Sequence, residues 1–130
     1  MCKGFARVTD VLSKENLIAK LSSGCKAKED WRIGTEHEKF GFKKKDLRPI
    51  TFDEIQKIFS ELCSKYKWQK IIEDKKIIGL KKDATSITLE PGGQIELSGA
   101  PVKNLFETCK EVNLHQDELN AVCRNYEIEF

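Results

Sequence analysis

Residues 86–101 read SITLEPGGQIELSGAP, and this stretch decides the predicted fold. Within it, residues 94–98 alternate polar and apolar side chains, which is typical of a strand with one buried face and one polar face. The polar face comprises Gln94, Glu96 and Ser98. Residues 86–90 favour a preceding strand, and the proline and two glycines at 91–93 predict a tight turn between the strands. The stretch therefore predicts two strands with a carboxylate on the polar face.

A second predicted strand of this kind lies further upstream. Residues 31–42, WRIGTEHEKFGF, have no helical periodicity, and their β-branched and aromatic content favours an extended segment. Alternate side chains of a strand share a face, so Glu36 and Glu38 point the same way. His37 points to the opposite face, where we expect it to be packed and hydrogen-bonded rather than catalytic.

Three segments have the spacing of helices. Residues 13–24 predict a short amphipathic helix that begins after Ser13 and stops at Gly24. A capping box from Thr51 to Glu54 predicts a second helix, which has an apolar stripe. A long third helix is predicted from Pro101 to near Arg124.

Two further segments predict strands. Residues 68–72 and 76–80 are short apolar runs around a polar turn, which suggests a hairpin. The last six residues, NYEIEF, begin to alternate like a strand that would leave an unpaired edge. On this pattern the chain looks truncated. We predict a mixed α and β structure in which the strands at 31–42 and 94–98 are neighbours in one sheet. The helices that start near Thr51 and Pro101 would cover the apolar side of that sheet.

Composition limits the class of protein. The chain has 130 residues, 39% of them apolar and 34% charged, which predicts one domain over residues 1–130. A net charge of +2 provides no global field for nucleic acid or for an anionic membrane. No apolar run approaches the roughly 18 residues of a membrane span, and residues 1–10 lack a secretory signal. The five cysteines, including Cys2, follow no metal-binding or disulfide pattern, which favours reduced thiols. Together these features favour a cytoplasmic location.

The carboxylates on the two polar strand faces are the candidate site. Glu36, Glu38 and Glu96 lie on predicted strand faces, and Glu90 lies just before the glycine turn. Crowded carboxylates repel one another unless a cation or a proton lies between them, and Mg²⁺ prefers such hard oxygen ligands. The alternative is that these glutamates are only the solvated face of a sheet. Spacing alone leaves both interpretations open.

Three motifs are similar to one enzyme family. GTEHEKFGF at 34–42, SITLEPGGQIELSGAP at 86–101 and ETCKEVNLH at 107–115 closely resemble the plant- and proteobacterial-type glutamate-cysteine ligases, which are related to glutamine synthetase. The segment between the first two motifs is also similar, so the resemblance covers about residues 27 to 128. One departure is Phe106, where the family usually has a histidine.

The resemblance implies a fold and an activity. The fold would be α+β, with a mainly antiparallel sheet and helices packed on one face, as an incomplete part of a glutamine synthetase-like catalytic domain. The activity would be the ATP-dependent ligation of the γ-carboxyl of L-glutamate to L-cysteine, which is the first step of glutathione biosynthesis. Mg²⁺ would be the cofactor, and Glu36, Glu38 and Glu96, with Glu90 beside them, would belong to the acidic floor that holds it.

Two functions from different classes stay open at this point. Family members are considerably longer, and the basic residues that hold the ATP phosphates are expected outside this chain, so no catalytic residue is assigned. The chain is then either a ligase that a complementing C-terminal polypeptide completes, or a non-catalytic remnant that binds a partner chain or a divalent ion. The expected partners are ATP, L-glutamate and L-cysteine, without nucleic acid or membrane.

Overall fold

The computed structural model describes residues 11–130, which form two compact units. The first unit ends at Trp31 and contains helix α1 (Lys14–Ser22). Ser13 caps this helix as predicted, because its hydroxyl accepts a hydrogen bond from the Asn16 N–H at 3.1 Å. Cys2 and the N-terminal segment 1–10 lie outside the described residues. The single domain over residues 1–130 stays a prediction.

The second unit, Arg32–Phe130, is an α+β structure, which confirms the predicted fold class. Five of its strands form one antiparallel sheet in the order β1-β6-β5-β4-β3, and β2 pairs separately with β7. Its elements in chain order are β1 (Glu36–Lys39), β2 (Phe42–Lys43), α2 (Phe52–Tyr66), β3 (Gln69–Glu73), β4 (Lys76–Lys82), β5 (Thr85–Glu90), β6 (Gln94–Ser98), α3 (Leu105–Cys123) and β7 (Ile128–Glu129).

Helix α2 forms where the capping box predicts it. The Thr51 hydroxyl accepts from the Glu54 N–H at 3.3 Å, and the Glu54 carboxylate accepts from the Thr51 N–H at 2.8 Å. These two bonds satisfy backbone donors that a helix N-terminus would otherwise leave unpaired. The apolar stripe of α2 is fully covered, and it consists of Ile55, Ile58, Phe59 and Leu62.

The core of the second unit lies between helices α2 and α3 and one face of the sheet, which we call the helix face. The sheet contributes buried side chains from three strands, and α3 contributes its last turns. These residues are Leu80, Ile87, Ile95 and Leu97 from the sheet, with Leu119, Val122 and Cys123 from α3. Burial of each such Leu, Ile or Val side chain contributes about 1.5–3 kcal/mol. The alternation in residues 94–98 therefore reports a buried face and a polar face, as predicted.

Two predicted boundaries are wrong. Helix α3 begins at Leu105 rather than at Pro101, with Asn104 as its N-cap, because Val102 is held extended by a bridge to Ile33. The Val102 N–H donates to the Ile33 carbonyl at 2.9 Å. The predicted strand over residues 31–42 is broken between β1 and β2 at Gly41, where a side chain would overlap Ile50 and Phe130.

The C-terminal residues are also paired, against the prediction of an unpaired strand edge. Phe42 of β2 lies opposite Glu129 of β7, and Lys43 lies opposite Ile128. Among residues 11–130 the cysteines are free thiols, and the pKa of buried Cys123 is raised to about 12 by burial and by the neighbouring Glu61 charge. No helix in the described part of the chain is long and apolar enough to span a membrane.

Candidate functional site

The pairing of β1 with β6 brings two of the predicted glutamates together. Glu38 lies directly opposite Glu96, and Glu36 lies opposite Ser98. Residues directly opposite each other in an antiparallel pair lie on the same face of the sheet. Glu36, Glu38 and Glu96 therefore share one face, although β1 and β6 are far apart in the sequence.

The pairing of β5 with β6 adds the fourth glutamate. Glu90 lies opposite Gln94, which is two residues before Glu96 and so on the same face. We call this surface the acidic face, and its carboxylates are Glu36, Glu38, Glu90 and Glu96. It is the side of the sheet opposite the helix face, because the alternating residues Ile95 and Leu97 are buried.

Neighbouring polar side chains hold two of the carboxylates. The Gln94 amide donates to Glu38 at 2.8 Å, and the Ser98 hydroxyl donates to Glu96 at 3.0 Å. Glu36 and Glu38 are exposed, whereas Glu90 and Glu96 are half-buried. Each hydrogen bond occupies one carboxylate oxygen, so the acidic face presents further oxygens to a ligand from solvent.

The carboxylates of the acidic face are close enough to influence one another. The Ser98 hydrogen bond lowers the pKa of Glu96, but burial and the charges of Glu90, Glu36 and Glu38 outweigh it, and the net pKa is raised. Like charges raise a carboxyl pKa because each disfavours ionisation of its neighbour. The mutual repulsion expected from the sequence is thus present in the fold.

The turn between β5 and β6 closes one end of the acidic face. Gly92 and Gly93 have φ values of 82° and 84°, in the left-handed region that favours glycine. A Cβ at Gly92 would lie 3.7 Å from Phe40, so backbone conformation rather than lack of space requires glycine there. The turn thereby sets the register of Glu90 against Gln94.

The donor set fits a hard divalent cation. No three His, Cys, Asp or Glu side chains within residues 11–130 are already gathered as a metal site. Mg²⁺ in proteins is commonly held by only one or two carboxylates, with waters and substrate phosphates in the other positions. The Glu38–Glu96 pair, with Glu36 and Glu90 beside it, has the chemistry of such a site.

The helix face carries polar residues that the sequence prediction missed. The Trp68 indole donates to Glu118 at 2.7 Å, and the Lys82 ammonium donates to the same buried carboxylate at 3.1 Å. His37 lies on this face as predicted, but its Nδ1 is buried and has no hydrogen-bond partner among the described residues, so the predicted hydrogen bonding is wrong there. Glu111, His115 and Glu118 are spaced three or four residues apart on α3. This helical spacing was the sequence signal that could have placed them on one side of the helix.

Comparison with known proteins identifies the family. The model of glutamate-cysteine ligase family 2 (GCS2) matches residues 32–130. The chain is 52% identical over 122 residues to the chloroplastic glutamate–cysteine ligase of Brassica juncea, covering 94% of this chain and 24% of that protein. It is 55% identical over 116 residues to glutamate–cysteine ligase A of Oryza sativa subsp. japonica, covering 89% and 24%. The chain spans about a quarter of the length of these curated relatives.

The relatives correct the expected location. Those of Brassica juncea, Oryza sativa and Arabidopsis thaliana are named as chloroplastic proteins, so the prediction of a cytoplasmic location is wrong. That prediction depended in part on the absence of a hydrophobic stretch in residues 1–10. Such an absence argues only against secretion, because plastid transit peptides are amphipathic and rich in Arg and Ser.

The region matched by the family model coincides with the second compact unit of the structure. The matched region begins at Arg32, where the second compact unit begins, and includes all four glutamates of the acidic face. About half of the residues over most of the chain are identical to those of the relatives. The chain belongs to glutamate-cysteine ligase family 2.

Proposed function

We propose that this chain supplies the acidic face of an ATP-dependent ligase that joins the γ-carboxyl of L-glutamate to L-cysteine. The observation that carries the proposal is the β1–β6 register, in which Glu38 lies against Glu96 with Glu36 beside them. The names of the relatives support the ligase activity, which is the first step of glutathione biosynthesis. Their chloroplastic names favour a plastid location for this chain as well.

In this proposal Glu38 and Glu96 bind Mg²⁺ through the carboxylate oxygens that Gln94 and Ser98 leave available. When bound, Mg²⁺ offsets negative charge on a transferring phosphoryl group. The hydrogen bonds from Gln94 and Ser98 orient the carboxylates of Glu38 and Glu96. Fewer side-chain rotamers are then lost when a cation binds. Glu36 and Glu90 add negative charge around the pair.

A complementing polypeptide of the same ligase would complete the site. Within residues 11–130 no strand pairs with the outer edge of β1, which carries Glu36 and Glu38. We propose that a further strand pairs with this edge and brings the cationic groups that phosphoryl transfer needs. The 130 residues alone are therefore expected to bind a divalent ion without forming measurable γ-glutamylcysteine and ADP.

Titration with Mn²⁺ tests the proposed metal site. Glu38→Gln and Glu96→Gln keep the side-chain shape and remove one charge each, and each is expected to weaken Mn²⁺ binding about tenfold. Glu73→Gln is the matched control, since Glu73 is exposed at the end of β3 on the far edge of the sheet. Calorimetry on the wild type and the three variants gives the affinities.

Two results would count against the proposal. If both acidic-face variants bind Mn²⁺ as the wild type does, the glutamates are only a solvated strand face. If the 130-residue chain alone turns over ATP, glutamate and cysteine, the requirement for a complementing polypeptide is wrong. Far-ultraviolet circular dichroism on each variant separates a lost ligand from a lost fold.

A further inference from the structure

The strand register places a lysine on the same face of the sheet as the candidate metal ligands. Lys81 of β4 lies opposite Ser86 of β5, and Ser86 lies opposite Ser98 of β6. Ser98 in turn lies opposite Glu36 of β1. Because residues directly opposite each other in antiparallel strands share a face, Lys81 lies on the acidic face. Its neighbour Leu80 is fully buried on the helix face, as the alternation of a strand requires.

Three other lysines of the sheet lie on the helix face. The ammonium of Lys39 donates to a glutamine of α3, and Lys82 forms an ion pair with Glu118 at 3.1 Å. Lys70 lies opposite a buried leucine of β4 and so faces the same way. Lys81 instead is exposed on the acidic face and forms no ion pair within residues 11–130. Its charge is therefore available to a ligand from solvent.

The distance between Lys81 and the carboxylates follows from the strand order. Neighbouring strands are about 4.8 Å apart and β5 lies between β4 and β6, so the backbones of Lys81 and Ser98 are about 10 Å apart. Glu96 is two residues before Ser98 on the same face. Between them, β5 presents only the small side chains of Ser86 and Thr88 on this face. The flexible four-carbon stem of lysine can lean across these small side chains toward Glu96.

This arrangement of charges favours a ligand with several linked phosphates. A Mg²⁺ ion held by Glu38 and Glu96 needs further oxygen ligands, which substrate phosphates commonly supply. A phosphate chain that begins at this ion and runs over β5 brings a second phosphate to Lys81, which binds phosphate as a point charge. The hydroxyls of Ser86 and Thr88 can donate to phosphate oxygens between these two points. A single phosphate would share fewer oxygens between the ion and the ammonium group.

We propose that Lys81 binds the phosphate chain of the nucleoside triphosphate at the acidic face. This inference rests on the proposed function, since it requires a metal ion at Glu38 and Glu96. It adds that one cationic group of the site comes from this chain itself. The four carboxylates of the acidic face repel a polyanion, so phosphate binding is expected to need the divalent ion. One lysine does not replace the cationic groups of a complementing polypeptide, so turnover is still not expected.

Titration of the 130-residue chain with inorganic tripolyphosphate in excess Mg²⁺ tests the proposal. This probe is the phosphate chain of ATP without its nucleoside. Calorimetry measures its affinity, and amide chemical shifts locate its binding. Tripolyphosphate is expected to bind at least tenfold more tightly than orthophosphate and to shift the amides of Lys81, Ser86 and Thr88. Removal of Mg²⁺ is expected to weaken its binding at least tenfold.

Three lysine variants test the role of the ammonium group. Lys81→Met removes the charge and keeps an unbranched side chain, and it is expected to weaken tripolyphosphate binding about tenfold without changing the affinity for Mn²⁺ alone. Lys81→Arg keeps the positive charge and is expected to retain most of the affinity. Lys70→Met is the matched control, since it makes the same change at an exposed position of β3 on the helix face, and it is expected to have no effect.

Three outcomes would overturn the proposal. They are absence of tripolyphosphate binding to the wild type, equal affinity in the wild type and Lys81→Met, or an equal loss in Lys70→Met. The first is measured on the wild-type chain, so it is decisive even if a variant fails to fold. Binding of Mn²⁺ to Glu38→Gln and Glu96→Gln judges the metal site separately. If these two variants lose Mn²⁺ while Lys81→Met binds tripolyphosphate normally, only the role of Lys81 is wrong.

Discussion

On β6, Ile95 and Leu97 are each about 1% exposed beneath helices α2 and α3, whereas Glu96 between them lies on the acidic face opposite Glu38. The two faces of this sheet are thus made by alternating residues of the same strands. The helix face excludes water from apolar side chains, and the acidic face gathers like charges that raise the pKa of Glu96. Removing apolar area should therefore cost stability, whereas removing an acidic-face charge should cost ligand binding.

Substitution of adjacent residues on β6 tests this comparison most directly. Ile95→Ala removes buried methyl groups and is expected to lower the free energy of unfolding by about 2–5 kcal/mol. Glu96→Gln is expected to change it by less than about 0.5 kcal/mol, or to raise it slightly, because it removes like-charge repulsion. Urea unfolding at pH 7 without divalent ions measures both. A cost for Glu96→Gln equal to that of Ile95→Ala would mean that the acidic face is structural.

Acidification should lower the free energy of unfolding, because His115 is buried on the helix face. Its pKa is about 4 in the fold, largely because of burial, against an ordinary value of 6.5. The unfolded chain then binds the proton more tightly, so stability is lost as the pH falls from 6.5 to 4, by on the order of 3 kcal/mol. His115→Gln cannot titrate and should lose less stability over this range. Parallel curves of unfolding free energy against pH for the two proteins would contradict the prediction.

Substitution in the turn at the end of the acidic face should have an intermediate effect on the free energy of unfolding. Gly92→Ala would place a Cβ on a residue with φ of 82°, which costs about 1–2 kcal/mol. Gly34→Ala is the control, since a Cβ there meets nothing within 4 Å, and it should be neutral or stabilising. Thermal unfolding of both variants measures the difference. Equal effects would show that the left-handed turn is not what demands glycine.

The smallest expected effect concerns the N-terminus of α2, which covers the helix face. The Arg48 guanidinium donates two hydrogen bonds to Glu54, and with the Thr51 N–H it holds the pKa of that carboxyl well below its usual range. Glu54→Gln should therefore cost about 1 kcal/mol at pH 7, a typical value for a cap, since exposed Arg48 is screened by solvent. The contribution is present above the ordinary pKa near 4.5 and is lost as the pH falls.

Chemical denaturation at pH 7 and at pH 3 measures that difference. The wild type and Glu54→Gln should differ at pH 7, and the difference should be smaller at pH 3, because the unfolded chain takes up a proton on Glu54 below pH 4.5 whereas Glu54 in the fold stays ionised there. A difference that is constant with pH would mean that the carboxylate charge does not contribute. Glu129→Gln is a suitable control, since the Lys44–Glu129 ion pair is mostly exposed.

Local signals predicted several elements closely. The capping box at Thr51 and Glu54 predicted the start of α2, because its hydrogen bonds join residues three apart. The alternation in residues 94–98 matches β6 at both ends. Pro101 misled the prediction of α3, because the Val102–Ile33 bridge keeps that segment extended and the helix begins only at Leu105. No local pattern reports a bridge between residues so far apart.

The missed polar residues have a similar explanation. Glu118 is buried because Trp68 and Lys82, from other segments of the chain, reach the same point and satisfy its carboxylate. A single glutamate on a helix gives no sign of such partners, since most glutamates are exposed. The pairing of β2 with β7 likewise depends on contacts between the two ends of the second unit.

The sequence by itself determined which side chains share a face within each strand. It placed Glu36 with Glu38, and Glu96 with Gln94 and Ser98, because the period of two residues is a property of an extended backbone. The sequence also predicted that β1 and β6 are neighbours, which their pairing confirms, but only the tertiary structure decided the register that sets Glu38 against Glu96 and the position of α3 beside a cavity lined by His115. Such placements depend on apolar burial between distant segments and on the entropy of closing the chain between them, which no local window of sequence contains.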